Sequence, residues 1–249
     1  MSALDRVSLE RAALRSWPAL ETVEDDGWVL RFSGGYTQRS NAATVLDAGP
    51  PHRLAARVEA CEAAYRARGL PPIFRVVSFA GAEALDALLA ARGYRRKDET
   101  QVLARVLSAG EFMQGDVAGL PLDAWLPLYE RMNGRDAAQR PQHRALLEAI
   151  PGRRLLAALG AGGSPAAVGL AVVDGGWAGI FDVATDPALR RQGLGRRLME
   201  GLLGWAAGAG AGRAYLQVMI ANGPAVRLYE GLGFAEAYRY GYWVEPEPA

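Results

Sequence analysis

The stretch DPALRRQGLGRRLME, Asp186–Glu200, sets Gly193 and Gly195 inside a cluster of four arginines and then turns apolar with helical spacing. Glycine lets a backbone take positive φ and approach a ligand closely, and a helix start offers N–H groups that no carbonyl of the helix accepts. Such a loop can cradle an anion. It is not a Walker loop, which needs G-x-x-x-x-G-K-[ST]. Nor is it a dinucleotide fingerprint, because Leu198 stands three residues after Gly195, where a third glycine is required. What remains is R-x-x-G-x-G at Arg190, Gly193 and Gly195. Alone, this pattern fits a plain strand-to-helix connection, so its neighbours decide.

Upstream, helices are expected over Asp123–Met132 and Pro141–Ile150, followed by strands at RRLLAAL (153–159), AAVGLAVV (166–173) and WAGIFDVAT (177–185). Downstream, Leu194, Leu198, Leu202, Trp205 and Ala209 give the next helix one apolar face. A strand RAYLQVMI follows, and then NGPAVRLYEGLGF, with Asn222 as N-cap, Pro224 in the first turn and Gly233 as the glycine that ends the helix. A final hairpin is expected to end at YGYWV (240–244).

The 249 residues are half hydrophobic, enough for a real core in one large domain or two small ones, and the formal charge of +1 argues against a nucleic-acid or anionic-membrane binder. The one cysteine, Cys61, reads as a core thiol and excludes an internal disulfide; with His52 and His143 isolated, no metal site is expected. The N-terminus is charged where a secretory signal would be apolar. Leu155–Val173 holds 19 residues without a charge, but GAGGSP breaks it into two strands around a hairpin. A soluble, cytoplasmic protein is expected.

The first half repeats the ending of the second. Setting Gly93-Tyr94 on Gly233-Phe234 gives an offset of 140, at which FRVVSFAGAEALDALLAARGYRRKDETQVL overlays AYLQVMIANGPAVRLYEGLGFAEAYRYGYW, with most apolar residues of the first segment on apolar residues of the second. This suggests an internal duplication, the other reading being chance likeness of two αβ units. Ala82 stands where Asn222 does and Leu89 where Tyr229 does, and no glycine-rich loop precedes the earlier helix near PPHRLAARVEACEAAYRARG. The first copy keeps the pattern of a core without the residues for chemistry.

VATDPALRRQGLGRRLMEGLL followed by LQVMIANGPAVRLYEGLGF resembles the GNAT N-acetyltransferase superfamily, in its acyl-CoA loop and helix and in its Asn-to-Tyr helix, over about Leu155–Val244. The first half resembles a degenerate copy, as in tandem members. Its WVLRFSGGYTQRSN is similar to a segment of some bacterial members and is assigned no chemistry. The resemblance implies an α/β fold of two GNAT-like units, each a mixed, mostly antiparallel sheet flanked by helices, with a degenerate domain over 1–107 and a catalytic one over 108–249.

It further implies transfer of acetyl from acetyl-CoA to a primary amine, by direct attack in a ternary complex. The acceptor would be a small molecule or a protein N-terminus, and the protein a pseudo-dimeric monomer or a homodimer. Amides of Arg191, Gln192, Gly193, Leu194, Gly195 and Arg196 would wrap the pyrophosphate, with Arg190 adding charge, and backbone groups of Val183, Ala184 and Thr185 would pair with the pantetheine arm. An amide in that strand would stabilise the oxyanion. Asn222 would cap its helix or reach the pantetheine.

Tyr229 matches the family tyrosine that protonates the departing thiolate; its other reading is a core aromatic. Asp182 is the candidate proton acceptor, a role that a water chain could also fill. Strand alternation would put Asp182 and Ala184 on one face and Phe181 and Val183 on the other. Asp186 reads as a turn and capping residue. A non-catalytic acyl-CoA sensor is the alternative function, and retention of both Asn222 and Tyr229 favours the enzyme.

Overall fold

A computed structural model describes residues 3–245 apart from 109, 114, 162 and 163. The first unit runs α1 (Ala3–Ser16), β1 (Glu21–Asp25), β2 (Trp28–Phe32), β3 (Ala43–Val45), α2 (Leu54–Arg66), β4 (Ile73–Val77), α3 (Glu83–Ala91) and β5 (Arg95–Val106). The second runs β6 (Val117–Gly119), α4 (Leu122–Asn133), α5 (Arg140–Glu148), β7 (Arg153–Ala161), β8 (Ser164–Asp174), β9 (Trp177–Thr185), α6 (Leu194–Gly208), β10 (Arg213–Met219), α7 (Gly223–Glu230) and β11 (Ala235–Val244). Helices α6 and α7 begin where the sequence places them, α6 behind Gly193 and α7 behind Asn222, whose side chain accepts from the Ala225 N–H at 3.3 Å.

All strands join one mixed sheet in the order β1-β2-β3-β4-β11-β5-β10-β9-β8-β7-β6. The two halves of the chain interleave in this sheet: β11 lies between β4 and β5, and β5 lies between β11 and β10. The sheet therefore does not divide at the 107/108 boundary read from the sequence. The expected final hairpin is absent as well. β11 is one strand with irregularities at Glu236/Tyr238 and Tyr240/Tyr242, because both its edges are already paired, to β4 and to β5.

The elements keep the spacing expected of a duplicated unit. Helix α6 starts at 194 against 54 for α2, β10 at 213 against 73 for β4, α7 at 223 against 83 for α3, and β11 at 235 against 95 for β5, each 140 apart. In the central antiparallel pair Thr100 faces Tyr240, its own counterpart at that offset, as a pseudo-two-fold axis requires.

One core runs through both units, with Leu9 of α1 and Trp17 just after it, Trp28 and Phe32 of β2, Phe74 of β4, Trp125 of α4, Leu146 of α5 and Tyr238 of β11. A second core lies under α6, where Leu194, Leu198 and Leu202 meet Ala167, Ile180, Leu216 and Leu103. Within the first core, Glu10 and Arg75 form an ion pair at 0% and 1% exposure, and the Tyr238 hydroxyl also donates to Glu10. That bond ties β11 to α1 and β4. Removing one partner would leave a buried charge uncompensated, at a cost of about 3–5 kcal/mol.

Candidate active site

The quoted loop forms a tight entry to α6. The Asp186 carboxylate accepts from the Ala188 N–H at 3.0 Å, its backbone N–H donates to Ala166 at 2.9 Å, and Arg191 at φ +61° and Gly193 at φ +77° turn the chain into the helix. A Cβ on Gly193 would meet nothing within 4 Å, so the left-handed backbone, and not space, calls for glycine there. The first hydrogen bond of the turn runs from Arg197 N–H to the Gly193 carbonyl, leaving the amides of Leu194, Gly195 and Arg196 directed off the helix end.

Beside the cradle the sheet opens. β9 and β10 are paired in parallel only from Trp177–Ile180 and Arg213–Leu216, yet β9 continues to Thr185. The edge of Phe181–Thr185 that faces β10 therefore has no ladder partner. An open groove of about 800 Å³ follows this gap, lined by Val183, Ala184, Thr185, Arg190, Arg191, Gly193, Leu194, Gly195, Arg196 and Asn222, with Met132 and Asn133 at the end of α4. Most of the binding residues expected from the sequence thus meet in one place.

The exceptions are Gln192, Asp182 and Tyr229. Gln192 is exposed and does not line the groove. The arginines separate by role: Arg196 donates to the Gly231 carbonyl at 3.1 Å, and Arg197 pairs with Asp116 at 2.8 Å. Arg190 and Arg191 have no carboxylate partner among the described residues and keep their charge for the groove.

Asp182 sits just beyond the groove in an unusual backbone. Its φ is +49°, and the β8–β9 register slips here, with Leu170 facing Phe181 but Val168 facing Ala184. This bulge overturns the expected alternation. Phe181 and Ala184 both pack into the core shared by the two units, while Val183 packs toward α6. An extra residue in the strand lets Asp182 turn toward α5 as well. Its Oδ2 lies 2.9 Å from Nε2 of His143, a histidine only 2% exposed.

An aromatic enclosure surrounds that pair. Tyr36 stacks on His143 at 5.3 Å and 25°, Tyr129 lies at 5.1 Å, Trp17 at 6.0 Å and Trp125 at 6.2 Å. Burial, and then the charge of Asp182, push the Tyr36 phenol up to about 12, and the same two causes raise Tyr129 further. Asn133, at the groove's mouth, donates to the Tyr129 hydroxyl at 2.8 Å, joining enclosure and groove. Sequence reading set His143 aside as isolated and gave Tyr36 no role. Only its place in a segment quoted for family likeness marked Tyr36 out.

Tyr229 lies against the second core, one residue from groove-lining Leu228, with its ring 6.3 Å from that of Phe234. Burial raises its phenol to about 12, so it is fully protonated at neutral pH. Cys61 lies on α2, and burial raises its thiol to about 12.

A family model described as probable histone acetyltransferase Rv0428c C-terminal matches residues 5–243. The chain belongs to this family of GNAT N-acetyltransferases. This GNAT chain is 34% identical over 230 residues to probable histone acetyltransferase Rv0428c of Mycobacterium tuberculosis, with 91% of this chain and 70% of that protein covered. It is 27% identical over 244 residues to the uncharacterized N-acetyltransferase YobR of Bacillus subtilis, covering 95% of this chain and 97% of the other. A GCN5-related N-acetyltransferase from Kribbella flavida has the same fold, with a TM-score of 0.72, 19% identity, and coverage of 100% and 96%.

GNAT acetyltransferases use acetyl-CoA, and the residues of this GNAT enzyme suit it. An amide cradle and two unpaired arginines match the charge of a pyrophosphate, and an unpaired strand edge matches an arm with two amides. Among the described residues no helix is long and apolar enough to cross a membrane.

Proposed function

We propose that this enzyme transfers an acetyl group from acetyl-CoA to a primary amine by direct attack in a ternary complex. The observation that carries the reading is adjacency: one groove runs from the α6 cradle along Val183–Thr185, ending one residue from Asp182, and its lining Asn133 hydrogen-bonds Tyr129, which packs on the His143 that holds Asp182. The bound thioester supplies the acetyl group. Amides of Leu194, Gly195 and Arg196, with Arg190 and Arg191, hold the diphosphate, and the free edge of β9 holds the pantetheine and offers an N–H to the carbonyl oxygen.

An amine with a pKa of about 10 is mostly protonated at neutral pH and must lose a proton before it attacks. Asp182 takes that proton, directly or through water, with its carboxylate fixed by His143. As the new C–N bond forms and the C–S bond breaks, the phenol of Tyr229 donates its proton to the sulfur. An acyl-enzyme on Cys61 is disfavoured, since its thiol is buried in the first unit and held protonated.

The first unit, residues 1–107, is proposed as a degenerate copy and residues 108–249 as the catalytic unit. The constant spacing of 140 supports this, as do the absent side-chain cap at Ala82 and the fully buried Leu89 at the position of Tyr229. The testing experiment follows free CoA released from acetyl-CoA against a panel of primary amines. Acetyl-CoA binding without release on any amine would overturn the reading.

A further inference from the structure

Residues 33–42 leave the sheet of the first unit. At the spacing of 140 they stand where the second unit has the β8–β9 turn and most of β9, yet they form a loop in front of a strand of only three residues, β3. The loop is locked from within. Buried Asn41 accepts from the N–H groups of Ser33 at 2.7 Å and Gly35 at 2.9 Å, and donates to the Thr37 carbonyl at 2.7 Å. A rigid loop of this kind can carry side chains to fixed places.

Two of its side chains reach the second unit. Tyr36 stacks on His143, and Arg39 lies over two rings, 5.3 Å from the centroid of Trp17 and 5.8 Å from that of Phe181, the residue before Asp182. Of the other arginines at this junction, Arg31 donates to the carbonyls of Arg39, Leu14 and Trp17, Arg75 pairs with Glu10, and Arg135 is solvent-exposed, 6.0 Å from the Tyr36 ring centroid. The Arg39 guanidinium has no hydrogen-bond or carboxylate partner among the described residues, and its Nε is buried without one. A guanidinium placed by ring contacts, with its donor edge unused, is suited to a planar carboxylate.

We propose that the 33–41 loop completes the acceptor site and that Arg39 receives a carboxylate carried by the acceptor amine. The proposal rests on the acetyltransfer reading, with Asp182 facing the ammonium group of the same molecule. The acceptor class is then a small amino acid or a similar amine with a free carboxylate, and a peptide N-terminus without a nearby acid is disfavoured.

The test compares glycine with glycinamide, β-alanine with β-alaninamide, and lysine with lysinamide, following CoA release by wild type, Arg39→Gln and Arg39→Lys. Wild type should favour the carboxylate member in kcat/KM by about 10- to 100-fold in at least one pair. Arg39→Gln should lose that preference mainly through KM, Arg39→Lys should keep part of it, and both should bind acetyl-CoA by calorimetry as wild type does. Should Arg39→Gln not fold, the smaller preference in Arg39→Lys decides. Turnover with no preference in wild type, or with the preference unchanged in the variants, overturns Arg39's role and leaves acetyltransfer standing. No turnover on any amine, with acetyl-CoA still bound, overturns both.

Discussion

Nε2 of His143 and Oδ2 of Asp182 lie 2.9 Å apart, joining α5 to a bulge in β9. The strained backbone at φ +49° and the hydrogen bond fix one carboxylate at the point where the sheet opens. Strain of this kind costs about 1–3 kcal/mol and persists only where its surroundings hold it.

Asp182→Asn should retain acetyl-CoA affinity while kcat falls about 10²-fold or more, the usual range for a positioned base. His143→Gln should lower kcat less and shift the pH profile of kcat/KM, since the carboxylate remains but loses its anchor. Steady-state rates from pH 6 to 9 check both. Unchanged rates in Asp182→Asn would transfer the proton to a water chain.

Gly193→Val places a β-branched residue at φ +77°. The local strain of about 1–2 kcal/mol should lower the melting temperature by a few degrees. Acetyl-CoA affinity should fall by about tenfold or more, because the amides that form the cradle follow directly. Calorimetry on the folded variant decides; full affinity would make the loop only a connection.

Replacing Tyr229 with Phe keeps the ring beside Phe234 and removes the proton. Acetyl-CoA affinity and melting temperature should barely change, while kcat falls about 10²-fold. The deficit should narrow on the alkaline side, where a thiol of pKa about 8.5 departs more readily unprotonated. Wild-type turnover in the variant across this range would leave Tyr229 as packing.

Alkaline pH should destabilise the fold. An unfolded tyrosine titrates near 10, whereas burial raises Tyr229 to about 12 and Tyr65 and Tyr215 higher. Above pH 10 the native state keeps protons that the unfolded state has released. Stability is therefore full below about pH 10 and falls as pH rises through the native values, by up to about 1.4 kcal/mol per pH unit for each buried phenol. Urea midpoints at pH 9, 10 and 11, with phenolate absorbance, would check the sign.

A fragment holding residues 108–249 lacks β5, which covers one edge of both β10 and β11. It should not fold alone, and far-UV circular dichroism should show disorder or aggregation. Adding a separate 1–107 chain should restore structure by supplying β5 and β4.

How much of this was legible in the sequence depended on how local each cause is. Gly193, Asn222, Pro224 and Asp186 act within a turn of their own position, so the cradle and both helix starts could be read directly. Asp182 could not be oriented, because alternation assumes an unbroken strand and the bulge breaks it. His143 looks isolated in the sequence because its partners are Trp17, just behind α1, and residues of the 33–41 loop, α4 and β9. The interleaving of the two halves was equally hidden, because β5 and β11 are placed by pairing with edges far away in the chain, β10 and β4, which no local pattern records.

The position of β11 also sets an order on synthesis. β4 receives this neighbour only after about 160 more residues have been added. At about 5–20 residues per second, that interval is on the order of ten to thirty seconds. Until then the edge of β4 has no native partner on that side, and Glu10, the ion-pair partner of Arg75, lacks the hydroxyl of Tyr238. The nascent first unit must wait on the ribosome with an open edge, a natural place for a chaperone to bind or for a second nascent chain to pair wrongly.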